Sequence, residues 1–87
     1  MNIVFLYYCH YNYCFQKMNE NRYKKISEKI RIVRLTLGYS QEYMAQELDI
    51  SQNVYSKNER NIKDAPFERV VQIFEILNLP IEQAFVN

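Results

Sequence analysis

A chain of 87 residues holds one folded domain and leaves no room for a second ligand-binding or oligomerisation unit. Its formal net charge of +1 argues against a uniformly basic chain, yet the charges are unevenly placed. From Lys17 to Lys63 ten basic residues stand against six acidic ones, and from Asp64 onward Arg69 alone stands against four, so a net +4 is followed by a net −3. A mixed, solvated surface is the plain reading of that division, and a basic face with an acidic rear is the other.

Residues 1–17 obey a logic of their own. Between Asn2 and Phe15 the chain carries Phe5, Tyr7, Tyr8, Tyr11, Tyr13 and Phe15 and no charge at all. The run is shorter than the roughly twenty apolar residues of a membrane span, and His10 and Asn12 interrupt it. It also lacks the basic start and small-residue cleavage site of a secretory signal, so no membrane partner is expected. Met18 reads as the native start, with 1–17 as translated upstream sequence or a poorly ordered tail; a strand-like arm docked on the body or on a second subunit is the alternative. Cys9, His10 and Cys14 all fall in this leader, and three ligands at that spacing lack the fourth that a structural zinc site needs. Neither a metal nor a cofactor is expected, and the two cysteines read as reduced thiols of a cytoplasmic protein.

Beyond Met18 the signals are helical. Ile26, Ile30, Val33 and Leu37 recur at helical spacing and Gly38 supplies a stop, so Ser27 to Leu37 reads as the first helix. Ser40 is a good N-cap for the second, Glu42 sits in a first turn where the helix dipole favours negative charge, and Met44, Ala45 and Leu48 share one face. Tyr43, Gln46 and Glu47 then face water. Asp49 stands where the chain must reverse, and Asp tolerates left-handed backbone better than most residues, though less well than Gly. After Ile50, which anchors the turn, Ser51 is a second N-cap. The helical period of the third helix places Tyr55 and Glu59 inward and Gln52, Asn53, Ser56, Lys57 and Arg60 outward. Pro66 opens a fourth helix with Phe67, Val70, Val71, Phe74 and Leu77 as its apolar stripe, ending at Asn78. Pro80 opens a last short one, Ile81 to Phe85. No β-alternating stretch with hairpin turn chemistry occurs after Met18, so the body reads as all-α with five helices.

The middle of the chain resembles the Cro/repressor-type helix-turn-helix family of bacterial and phage transcription regulators. Ser40-Gln41, Ile50, Ser51-Gln52, Tyr55-Ser56 and Glu59 match that family's running pattern, and the likeness extends over roughly Ser27 to Phe85. It implies a compact five-helix, lambda-repressor-like DNA-binding domain over 18–87 whose helices 2 and 3 form the helix-turn-helix. Three positions depart from the pattern. Asp49 replaces the usual turn glycine, Asn58 replaces an apolar residue and would need hydrogen-bond partners if buried, and Asn61 stands near the usual glycine after the third helix, where Asn still accepts left-handed geometry.

The resemblance also implies roles. The third helix would lie in the major groove of double-stranded DNA, with Gln52, Asn53 and Lys57 as base readers and Val54 at the flank against a thymine methyl. The residue types suit this: an amide donates and accepts at once, matching adenine N6 and N7, and an ammonium donates to guanine O6 or N7. Gln41 would contact a phosphate from the second helix's N-terminus. Ser51, Ser56, Arg60 and Lys63 suit sugar-phosphate contacts, which position without specifying. Bland readings stand beside these, since Ser51 is explained as a cap alone and Lys57 and Arg60 as ordinary surface charges. Arg34 and Glu59 would form a structural ion pair bracing the third helix.

The resemblance thus points to a sequence-specific transcriptional regulator, a repressor acting as a homodimer on a two-fold site, because one small module makes too few base contacts for useful specificity. Phe85, Val86 and the last helix are the candidate interface. The alternative is an antitoxin-like module that neutralises a toxin partner and binds DNA for autoregulation. An enzyme is not expected: the body after Met18 has no histidine, no Ser/His or Cys/His pair and no carboxylate cluster.

Overall fold

The computed structural model describes residues 20–84. Residues 1–17, with the candidate leader, and Phe85 and Val86, in the candidate dimer interface, lie outside them. Helix α1 spans Glu20–Thr36, α2 Gln41–Leu48, α3 Gln52–Arg60 and α4 Phe67–Ile76, with single 3₁₀ turns at Ile62–Asp64 and Ile81–Ala84. The described residues are thus helical without strands, but of the fifth helix expected over Ile81 to Phe85 the described part, Ile81–Ala84, is a 3₁₀ turn. A 3₁₀ turn closes its hydrogen bonds within three residues, as the Gln83 N–H does on the Pro80 carbonyl at 3.0 Å.

α1 begins well before the expected Ser27. Nothing in Glu20 to Ile26 breaks a helix, and Tyr23 and Ile26, both packed against the core, carry the apolar face of Ile30 a further turn back. Ser27 lies buried in mid-helix, where its hydroxyl accepts from the Ile62 backbone N–H at 3.2 Å and ties α1 to the turn after α3. At the other end Leu37 is 45% exposed and falls outside the core, because the helix has already ended.

Three of the four helices stop in the same way. At Gly38 (φ 77°), Asp49 (φ 57°) and Asn78 (φ 57°) the backbone turns left-handed, and the next residue's N–H reaches back five residues: Tyr39 to the Arg34 carbonyl, Ile50 to Ala45, Leu79 to Phe74. This is the Schellman arrangement, which satisfies carbonyls the helix end would orphan. α3 is the exception. Asn61 takes φ −135°, ψ 72°, so the left-handed geometry expected there is not adopted, and the chain passes directly into the 3₁₀ turn that buries Ile62.

Ile30, Met44, Ala45, Tyr55, Ile62, Ile73, Phe74 and Leu77 form the core, with Leu48 and Ile50 packed against its edge. The α4 stripe differs from expectation at one end. Ile73 is fully buried, whereas Phe67 is 62% exposed, since Phe67 occupies the first turn of α4 before the helix reaches the core. Asn58, the departure from an apolar family position, is half-buried and accepts from Arg69 Nη1 of α4 at 3.2 Å. An apolar contact is thereby replaced by a hydrogen bond.

Candidate nucleic-acid interface

Both motif helices are capped by serine. Ser40 Oγ accepts from the Tyr43 N–H at 2.9 Å and Ser51 Oγ from the Val54 N–H at 3.1 Å, each satisfying an amide that the first turn leaves without a helical partner. The Asp49–Ile50 turn sets α3 against α2, and Tyr55, with no exposed surface, pins the inner side of α3 in the core.

Pinning Tyr55 and Glu59 inward turns the rest of α3 outward. Gln52, Asn53, Val54, Lys57 and Arg60 are exposed and Ser56 is half-buried. Asn53, Lys57 and Arg60 form one stripe along α3, and Gln52, Ser56 and Arg60 form the adjacent one. The side chains of Gln52, Asn53 and Lys57 are held by no hydrogen bond among the described residues. Lys57 and Arg60 lie in the last turn of α3, where the helix dipole favours cations. Glu59 is the lone acid of α3, and it is buried, so α3 itself presents no carboxylate on its outer face.

Glu59 is a buried junction of four hydrogen bonds. Arg34 Nε donates to Oε1 at 2.6 Å and Nη2 to Oε2 at 3.1 Å, the Tyr55 hydroxyl donates to Oε1 at 2.8 Å, and Gln41 Nε2 donates to Oε2 at 3.1 Å. Burial alone would raise the Glu59 pKa; the donors Arg34, Tyr55 and Gln41 outweigh it and hold the carboxyl below its ordinary range. The same bond raises the Arg34 guanidinium. Burial, then the bond to Glu59, pushes the Tyr55 phenol well above its ordinary value. Arg34 also donates to the Tyr39 carbonyl at 2.8 Å, so one guanidinium joins α1, the loop before α2 and α3.

Gln41, at the amino end of α2, is therefore held by Glu59 through one amide N–H. Its second N–H and its carbonyl oxygen remain for other partners.

The family model for helix-turn-helix domains matches residues 30–83. The chain belongs to the Cro/repressor-type helix-turn-helix family. It is thus a DNA-binding protein of the transcription-regulator class. No curated protein and no solved structure matches it.

Two clefts beside α3 of this helix-turn-helix protein bring Lys24 and Arg31, which the sequence assigned no role, alongside Arg60 and Lys63. One, of about 300 Å³, lies between α1, the start of α2 and α3, and is lined by Lys24, Ser27, Glu28, Arg31, Gln41, Ser56, Glu59 and Arg60. Its neighbour, of about 360 Å³, adds Lys63 and Asn61 from the turn after α3 and again includes Lys24 and Arg60. Gln41, Ser56, Arg60 and Lys63 are thus brought to one side, whereas Ser51 and Val54 stand apart at the other end of α3. A first helix beginning at Ser27 leaves Lys24 outside it and gives no reason to single out Arg31. With α1 extended to Glu20, the helical spacing of Lys24, Ser27, Arg31 and Arg34 puts all four on one face.

Proposed function

We propose that this protein is a sequence-specific repressor that binds a two-fold operator as a dimer, with α3 in the major groove. The observation that carries the reading is the outer face of α3: Gln52, Asn53 and Lys57 are exposed on a helix whose inner side is locked by Tyr55 and Glu59. Amide and ammonium tips on a rigid helix read base edges because their donors and acceptors are placed before the duplex arrives. Val54 lies beside them for a thymine methyl. Gln41, Ser51, Ser56, Arg60 and Lys63 contact the backbone and set the register.

Dimerisation is a consequence of specificity. One module of this size reads too few base pairs to be distinguished from random sequence in a genome, and a symmetric pair doubles the count.

Selection of bound duplexes from a randomised library tests the proposal. Enrichment of an inverted repeat, with half-sites about one helical turn or a multiple of it apart, is the expected result. Enrichment of no sequence over random overturns sequence-specific binding, and a single half-site without its symmetric mate overturns the dimer.

A further inference from the structure

We propose that α1 forms part of the DNA-binding surface, with Lys24 and Arg31 holding phosphates of the same strand that Gln41, Ser56 and Arg60 engage. The inference rests on the DNA-binding reading above and extends it to a helix outside the helix-turn-helix.

Placement is the first reason. Lys24, Ser27, Arg31 and Arg34 fall on one face of α1, and two of the four are consumed by the fold: Ser27 bonds the Ile62 amide and Arg34 bonds Glu59. Lys24 and Arg31 are exposed. Both line the cleft that also contains Gln41, Ser56 and Arg60, and Lys24 and Arg60 continue into the neighbouring cleft with Lys63. Ser56 is one helical turn from Gln52 and one from Arg60, so the trough opens directly beside the stripe that faces the bases.

Charge decides what such a trough takes. Lys24, Arg31, Arg60 and Lys63 line it, against the carboxylates Glu28 and Glu59. Glu59 is paired with Arg34, so among the residues lining the two clefts Glu28 is the remaining carboxylate. Two helical turns separate Lys24 from Arg31, about 10 Å along the axis, so they meet different phosphates. A duplex strand supplies evenly spaced anions over that length, and replacing its condensed counterions with fixed cations is the main source of sequence-independent affinity.

The test is the salt dependence of duplex binding. Lys24→Gln with Arg31→Gln lowers the slope of log K against log salt by about 1.8, or about 0.9 for each phosphate no longer neutralised, equally on a selected site and on random duplex. Lys25→Gln with Lys29→Gln removes the same charge from exposed positions of α1 outside both clefts, and leaves the slope at the wild-type value. Lys24→Arg with Arg31→Lys keeps both charges and keeps the slope, which separates lost charge from damaged folding. A cleft pair with the wild-type slope, or with a change no larger than the control pair shows, overturns the role of α1 while DNA binding stands. A wild-type protein that binds neither selected nor random duplex overturns the functional reading itself.

Discussion

Gln41 Nε2 donates to Glu59 Oε2 at 3.1 Å, joining the amino end of α2 to the carboxyl end of α3. The two motif helices are therefore held by a side-chain bond at the far end from their turn. With Asp49–Ile50 closing one end and Gln41–Glu59 the other, the angle between α2 and α3 is constrained from both sides. Arg34 carries that constraint into α1 through the same carboxylate.

Removal of the carboxylate is the most direct challenge to this junction. Glu59→Ala leaves Arg34, only 6% exposed, as a buried unpaired cation, and lowers stability by about 3–5 kcal/mol. Urea denaturation reads the loss. In a double-mutant cycle with Arg34→Ala the two changes couple by more than about 1 kcal/mol; simple additivity would show that the pair contributes nothing as a pair.

Acid exposes the same group. The Glu59 pKa lies lower in the folded state than its ordinary value of 4.5, so the unfolded chain takes up the proton first. Its contribution is whole above about pH 4.5 and is lost as pH falls through the folded value. The wild-type unfolding midpoint drops over that range, and Glu59→Gln, less stable at neutral pH, drops less steeply. Parallel pH profiles for the two proteins would exclude Glu59 as the group responsible.

Base readers and backbone contacts separate by their response to sequence. Gln52→Ala costs roughly 1–3 kcal/mol on a selected site and relaxes one base position, while binding to random duplex is hardly altered. Arg60→Ala weakens both duplexes alike and lowers the salt slope. Fluorescence anisotropy on matched and scrambled duplexes distinguishes the two, and equal losses on both for Gln52→Ala would remove it from direct readout.

Left-handed positions give a pair of opposite changes. Asp49 holds φ 57° and bears a side-chain cost that glycine escapes, so Asp49→Gly raises stability by up to about 1 kcal/mol. Gly38 holds φ 77°, and an added Cβ there meets nothing within 4 Å. Gly38→Ala accordingly loses about 1 kcal/mol through backbone strain alone. Denaturant midpoints moving without a change in slope would show that both act on stability.

Helical periodicity and capping residues are enough to locate the motif helices, because those signals are local: Ser40, Ser51, Tyr55 and the inward turn of Glu59 depend on residues within one or two turns. The outward placement of Gln52, Asn53 and Lys57 comes from the same periodicity. Less is legible where a choice depends on distant partners. Asn58 gives no sign in the sequence that Arg69 of α4 reaches it, and the extension of α1 to Glu20 is supported by Tyr23 and by a Ser27–Ile62 bond between residues 35 positions apart. Phe67 and Ile73 differ from expectation for a related reason: both are apolar, and only the position of α4 against α2 decides which of them reaches the core.

By itself, then, the order of residues determined the helical class, the two capped motif helices and the polar outer face of α3, since each arises from backbone and side-chain preferences acting over a few residues. The tertiary structure decided that Glu59 gathers Arg34, Tyr55 and Gln41 into one junction, and that Lys24 and Arg31 of α1 flank Arg60 of α3. Those arrangements join segments far apart in the chain, and burial of the shared core is what brings them together.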